Sequence, residues 1–165
     1  EHVESISNVS SDDSNLERLN RWNCAVSLFK ERPISGWGPG TYQFVYAPYQ
    51  EVKYRTTIST NNADGGNAHS EYLGPLAEQG VLGLLFVLAL LWWCCGLGFR
   101  LWEEIKDVDK RNLAVSIYLG LMTYFIHGVL NNYLDTDKAS APFWGFIALL
   151  VVLDIELREE KKLTS

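Results

Sequence analysis

The sequence predicts an all-α chain, a fragment of a polytopic membrane protein with three transmembrane helices and a large segment of helix and loop outside the membrane. Three observations predict it. From Val81 to Gly98 the chain reads VLGLLFVLALLWWCCGLG, 18 residues without a charge, close to what a helix needs to cross the hydrocarbon layer. Two further apolar stretches, Leu113–Leu130 and Ala141–Val152, are flanked by Trp and Tyr, as membrane spans are at the interface. Finally, a net charge of −6 and a mean hydropathy of −0.04 over 165 residues describe an ordinary acidic domain only on average. Residues 1–70 are polar and loop-like, and nearly all the aliphatic content follows Gly80, so no single globular core is expected.

The outer segment, residues 1–79, comes first. It begins with neither an initiator Met nor a signal peptide, so the chain reads as the C-terminal piece of a longer protein. Over SNLERLNRWNCAVSLFKERP a helix is expected from about 14 to 32. Ser14 and Glu17 have capping-box spacing, and Pro33 closes the pattern. Leu16, Leu19, Trp22, Val26 and Phe29 recur three and four apart, giving one apolar face. Such a helix lies along a membrane surface or packs against other spans. Arg18 and Arg21 are neighbours on it; either their guanidinium groups converge on one anion, or they are solvated arginines paired with Glu17 or Asp13.

ISGWGPGTY then forces a turn into an aromatic segment. Its Tyr42, Phe44, Tyr46, Tyr49 and Tyr54 are either sugar-stacking platforms or residues of an interfacial belt. STNNADGGNAHS has the composition of a mobile loop. His69 ends that loop at or near the start of the next helix, with Asn67 or Ser70 as cap and Pro75 tolerated because it lies near the beginning. The partial positive charge of a helix N-terminus disfavours imidazolium and keeps the ring neutral, as a base must be.

The three spans are placed at about 81–100, 112–132 and 140–156, followed by a tail, 157–165. Arg100, Lys106, Lys110 and Arg111 lie between the first two, and Arg158, Lys161 and Lys162 follow the third; the turn between the second and third has only Lys138. By the positive-inside tendency the first loop and the C-terminal tail are cytoplasmic. Residues 1–79 are then periplasmic, and the chain sits in a bacterial inner membrane.

Other ionisable groups have an ordinary structural role open to them beside a functional one. His127, in YFIHGVLNNYL, is a functional suspect because it lies at membrane depth, and a hydrogen bond to a neighbouring helix explains it equally well. Asp135 and Asp137, on the same side as His69, are placed to orient an acceptor or bind a cation. A metal site from Asp64, His69 and one of these has no diagnostic spacing, so no metal is expected. Cys24, Cys94 and Cys95 give neither metal spacing nor an even disulfide framework and read as packing residues. Net negative charge without a basic stripe speaks against nucleic-acid binding.

One motif resembles a known family. His69-Ser70, nine residues EYLGPLAEQ, then Gly80-Val81-Leu82-Gly83 is similar to the His motif that members of the O-antigen ligase and polymerase superfamily carry where the periplasmic loop leads into a transmembrane helix. Upstream, RLNRW and ERPISGWGPGTY resemble the start of that loop, so the likeness covers roughly residues 14–155. It implies a membrane glycosyltransferase that uses no nucleotide sugar or other cofactor and, in the ligase branch, no metal. Its donor is a glycan on undecaprenyl diphosphate, and its acceptor a hydroxyl of lipid A core or another glycan, both met at the membrane lipid. His69 is then the general base and a loop arginine binds the diphosphate. The family's Arg-x-x-x-Leu element reads Arg18 to Trp22 or Arg21 to Ala25, which favours Arg18, since a large apolar residue follows it. A further family arginine lies in earlier spans, so the chain alone is expected to be inactive. Ser70, His127 and Asp135 are secondary candidates, for an acceptor or for structure. The alternatives are an O-antigen or exopolysaccharide polymerase joining lipid-linked repeats and, from another class, a non-catalytic polysaccharide transporter or scaffold in which His69 only caps a helix.

Overall fold

The computed structural model describes residues 13–57, 59–60 and 65–164, and among them there is helix, turn and loop but no strand. The helices are α1 (Asp13–Glu31), the short α2 (Tyr42–Val45), α3 (Leu73–Glu104), α4 (Val108–His127) and α5 (Asp137–Thr164), with 3-10 turns at Ala47–Tyr49, Val52–Tyr54 and Tyr133–Asp135. The chain divides into two compact units, and the division falls within α3: Glu1–Val87 with Val129–Asn132, and Leu88–Gly128 with Tyr133–Ser165.

In the first unit α1 corrects one expectation, the capping box. It begins at Asp13, which puts Ser14 inside the first turn, and the Glu17 carboxylate is engaged by Arg21, Asn20 and Ser59 rather than closing a capping box. Its buried face is Glu17, Asn20, Arg21, Cys24, Ala25 and Leu28; the apolar stripe Leu16, Leu19, Trp22, Val26 and Phe29 is only half-buried. A polar face turns inward because its groups satisfy one another, which removes most of the cost of burying them.

Beyond α1 the Gly-Trp-Gly turn docks on the first part of α3. The Trp37 amide donates to the Ala77 carbonyl at 3.2 Å and the Gly38 amide to the Glu78 carbonyl at 2.7 Å. The Glu78 carboxylate accepts from the amides of Gly40 (2.8 Å) and Tyr42 (2.9 Å). The Trp37 indole donates to the Leu28 carbonyl near the end of α1 at 3.0 Å. Tyr42 and Tyr46 stack at 5.3 Å between centroids and are buried with Cys24, Ala25, Leu28, Ala68 and Ala77. They are core residues, neither sugar platforms nor an interfacial belt, while Phe44 is exposed.

Ser70, the second of the two proposed caps, starts α3: its hydroxyl accepts from the Tyr72 and Leu73 amides at 3.3 Å. The helix bends sharply at Gly80, whose φ of 68° and ψ of −156° are open essentially to glycine alone. A Cβ there would also run into the carbonyl of Ile34. At the bend the Val81 amide donates to the Pro33 carbonyl at 2.8 Å.

The second unit packs Cys94, Leu97 and Leu101 of α3 with Ala114, Ile117, Leu121 and Phe125 of α4 and Phe143, Leu150, Leu153 and Leu157 of α5. The free thiols of Cys24 and Cys94 are fully buried, in keeping with a packing role. Arg100 and Arg158 both pair with Asp154, Lys161 pairs with Glu104 at 2.9 Å, and Lys110 pairs with Glu160 at 2.9 Å and Glu156 at 3.3 Å. The basic loop after α3 and the last turns of α5 therefore lie at one end of this unit.

Two helices, Leu73–Glu104 and Asp137–Leu163, are long and apolar enough to cross a membrane, where the sequence predicted three spans. The expectation over 112–132 fails because α4 spends its first turn on Asp109, Lys110 and Arg111 and carries Asn112, Ser116, Thr123 and His127 before it ends. α5 runs on through the polar C-terminal residues to Thr164.

Candidate active site

The polar face of α1 and the loop ending at His69 come together in the first unit. Arg21 is the anchor. Its Nε donates to Glu17 Oε1 at 2.5 Å, one helical turn away, and its guanidinium lies over the Tyr46 ring, 4.1 Å from the centroid. The pair is buried, with each side chain 7% exposed. Nη1 of Arg21 is buried with no hydrogen-bond partner. Gly66 closes over it, since a Cβ there would overlap the guanidinium and the Tyr46 ring.

Glu17 carries more than Arg21. Ser59 donates its hydroxyl to Glu17 Oε2, and Asn20 Nδ2, 3.4 Å from that oxygen, donates at 2.9 Å to Gln50 Oε1. Gln50 Nε2 in turn reaches the Thr60 carbonyl at 2.6 Å. Burial pushes the Glu17 carboxyl up, but the hydrogen bonds from Ser59, Arg21 and Asn20 and the charge of Arg21 outweigh it and hold the group below the usual carboxylate range. Glu17 is thus an anion at neutral pH.

His69 stands three residues after Gly66 in the left-handed conformation, φ 49°, which a non-glycine residue rarely adopts. Its backbone is held on both sides: the amide donates to Asn67 Oδ1 at 3.1 Å, and the carbonyl accepts from the Trp22 indole at 3.4 Å. The imidazole is half-buried. Burial lowers its pKa below the ordinary 6.5, the charges of Arg21 and then Arg18 lower it further, and Glu17 acts weakly in the opposite sense. The ring is therefore neutral at neutral pH, with a free nitrogen to accept a proton, beside positive charge suited to an anionic group.

Of the residues singled out from sequence, the structure brings His69, Arg18, Arg21 and Ser70 together in this unit. Arg18 is half-buried and forms no ion pair with a described residue, whereas Arg21 is committed to Glu17 and Tyr46. Ser70 is accounted for as the α3 cap. His127 and Asp135 belong to the second unit, both exposed, with His127 edge-on to Tyr133 at 6.4 Å. Asp64 lies outside the described residues, and among those described no three His, Cys, Asp or Glu side chains group as metal ligands. Sequence reasoning missed Asn20, Gln50 and Ser59; it named Tyr46 only as a sugar platform or belt residue, and Glu17 both as half of a capping box and as a partner for the arginines. The Glu17–Arg21 pair has the spacing of four of a helical ion pair; Asn20–Gln50 and Glu17–Ser59 join residues thirty or more apart in the chain, and nothing local marks them.

The family model described as O-Antigen ligase covers residues 1–88, just over half of the chain, and takes in every side chain of this site. No curated protein and no solved structure matches.

Proposed function

The chain belongs to the O-antigen ligase family, and on that premise we propose that it forms part of a membrane glycosyltransferase moving a glycan from undecaprenyl diphosphate to an acceptor hydroxyl of lipid A core or another glycan. His69 is the general base. It takes the proton as the acceptor oxygen bonds to the anomeric carbon, and the carbon–oxygen bond to the diphosphate breaks with its electron pair leaving on the diphosphate. Arg18, with Arg21 behind it, supplies fixed positive charge for that leaving group.

The observation that carries this reading is His69 itself: a neutral imidazole on a constrained backbone, whose electrostatic neighbours are the two arginines and Glu17. The exposed large apolar side chains of α3, including Leu82, Phe86 and Trp92, suit a lipid environment. With the basic end of the second unit in the cytoplasm by the positive-inside tendency, α3 crosses the bacterial inner membrane and residues 1–79 face the periplasm, where the lipid-linked donor is presented.

The test is H69A in the full-length protein, with membrane insertion checked and the glycan profile read on a gel. Transfer should fall by about 10²–10⁴-fold, the usual worth of a general base. Normal glycan from a normally inserted variant would overturn the assignment. In a deletion strain, long polymer left on the lipid carrier supports transfer to a terminal acceptor, and a single repeat capped onto the acceptor instead marks a polymerase.

A further inference from the structure

We infer that Glu17 is a positioning residue of this site, locking Arg21 into the wall beside His69 and leaving Arg18 as the cation that meets the anionic substrate. This rests on the reading above and deepens it. The two arginines, neighbours on α1, have different surroundings. Arg21 is gripped from three sides, by Glu17 through Nε, by the Tyr46 ring under its plane and by the Gly66 backbone against Nη1. A guanidinium so enclosed cannot swing to follow a departing diphosphate. Arg18 has no such grip from any of the described residues, which leaves its donors for a ligand.

Glu17 holds the arrangement because it is the only carboxylate paired with Arg21 among the described residues, and it also fixes what surrounds the pair. Through Ser59 directly, and through Asn20 and Gln50 to Thr60, it ties residues 59–60 to α1. Removing its charge leaves a buried guanidinium uncompensated, a costly state that the structure relieves only by moving Arg21 or the chain above it. That chain is the Gly66 segment, and His69 follows within three residues. The position of Glu17 is therefore transmitted to the base through Arg21 and Gly66.

The charged groups acting on His69 are Arg21, Arg18 and Glu17, all from α1. In E17Q the amide oxygen can still accept from Arg21 Nε while the negative charge is gone. The acid limb of the rate–pH profile, measured in membranes holding full-length protein, should then move down by about half a pH unit. R21Q, which removes a positive charge, should move it up. Both should lower kcat about tenfold through the displaced base while leaving KM for the lipid-linked donor within about twofold, whereas R18Q should raise that KM. A packing role alone moves neither limb. An unmoved limb in both inserted variants, or a donor KM raised by R21Q and not by R18Q, would overturn the inference. If E17Q does not accumulate, R21Q carries the same test. An inactive H69A with a wild-type E17Q profile would sink the positioning role and spare the base; an active H69A would sink both.

Discussion

The properties of His69 are set by its surroundings more than by its place at the mouth of a helix. The sequence supplied a reason for a neutral ring, the helix N-terminus, but Ser70 takes the cap and the larger causes are burial and then Arg21 and Arg18. The sign follows. A lowered pKa favours the neutral form, so the base stays competent to a more acid pH than a free histidine would. The rate of glycan transfer should keep more than half its plateau value at pH 6.5, the ordinary value for the group, and fall only below it. An acid limb centred above 6.5 in membrane assays would contradict this. The same shift bears on stability: the contribution of neutral His69 is present above 6.5 and is lost as pH falls through the lower folded value. His69, Arg18 and Arg21 were legible from residue type and helical spacing. Glu17 had two readings, three back to Ser14 as a cap and on to the arginines as an ion pair, and local pattern could not choose between them because it does not say where a helix begins.

At the scale of elements, α1 and α3 show why periodicity finds helices more surely than it finds their inner faces. The stripe of Leu16, Leu19, Trp22, Val26 and Phe29 marked α1 as helical, yet the inner face bears Glu17, Asn20 and Arg21. Only partners distant in the chain, Gln50 and Ser59, make that burial tolerable. In α3 the apolar run was plain, and so was the Gly80-to-Gly83 spacing. The bend was not, since it depends on the Pro33–Ile34 carbonyls pressing against Gly80. G80A should therefore be a severe change, combining a backbone region closed to alanine with a Cβ lodged against Ile34. We expect a loss of about 2–4 kcal/mol, read as a lower thermal midpoint of the detergent-solubilised protein. A midpoint equal to wild type would show that the bend is dispensable.

For the whole molecule, the all-α class was legible from composition, as was the break between a polar first half and an apolar second. The number of spans was not, because α4 combines apolar stretches with a charged first turn and packs through Ala114, Ile117, Leu121 and Phe125, as a helix in any protein core does. α3 and α5 differ in carrying a long, nearly uncharged apolar window, and large side chains stand uncovered on α3, Trp92 at 82% and Phe86 at 67% among them. The full-length protein should accordingly stay in the membrane pellet through alkaline carbonate washing and come out with detergent; recovery in the carbonate supernatant would count against insertion.

The docked Gly-Trp-Gly turn has a consequence for how the molecule opens. In a regular helix the Val81 amide would seek the Ala77 carbonyl; here it takes Pro33, while Ala77 and Glu78 receive the amides of Trp37 and Gly38. Loop and helix have exchanged partners across the bend and close each other's ladders. The segment from Pro33 to Gly38 and the turns of α3 around Gly80 thus behave as one cooperative unit: peeling the loop away strips hydrogen bonds from the helix that leads down from the base.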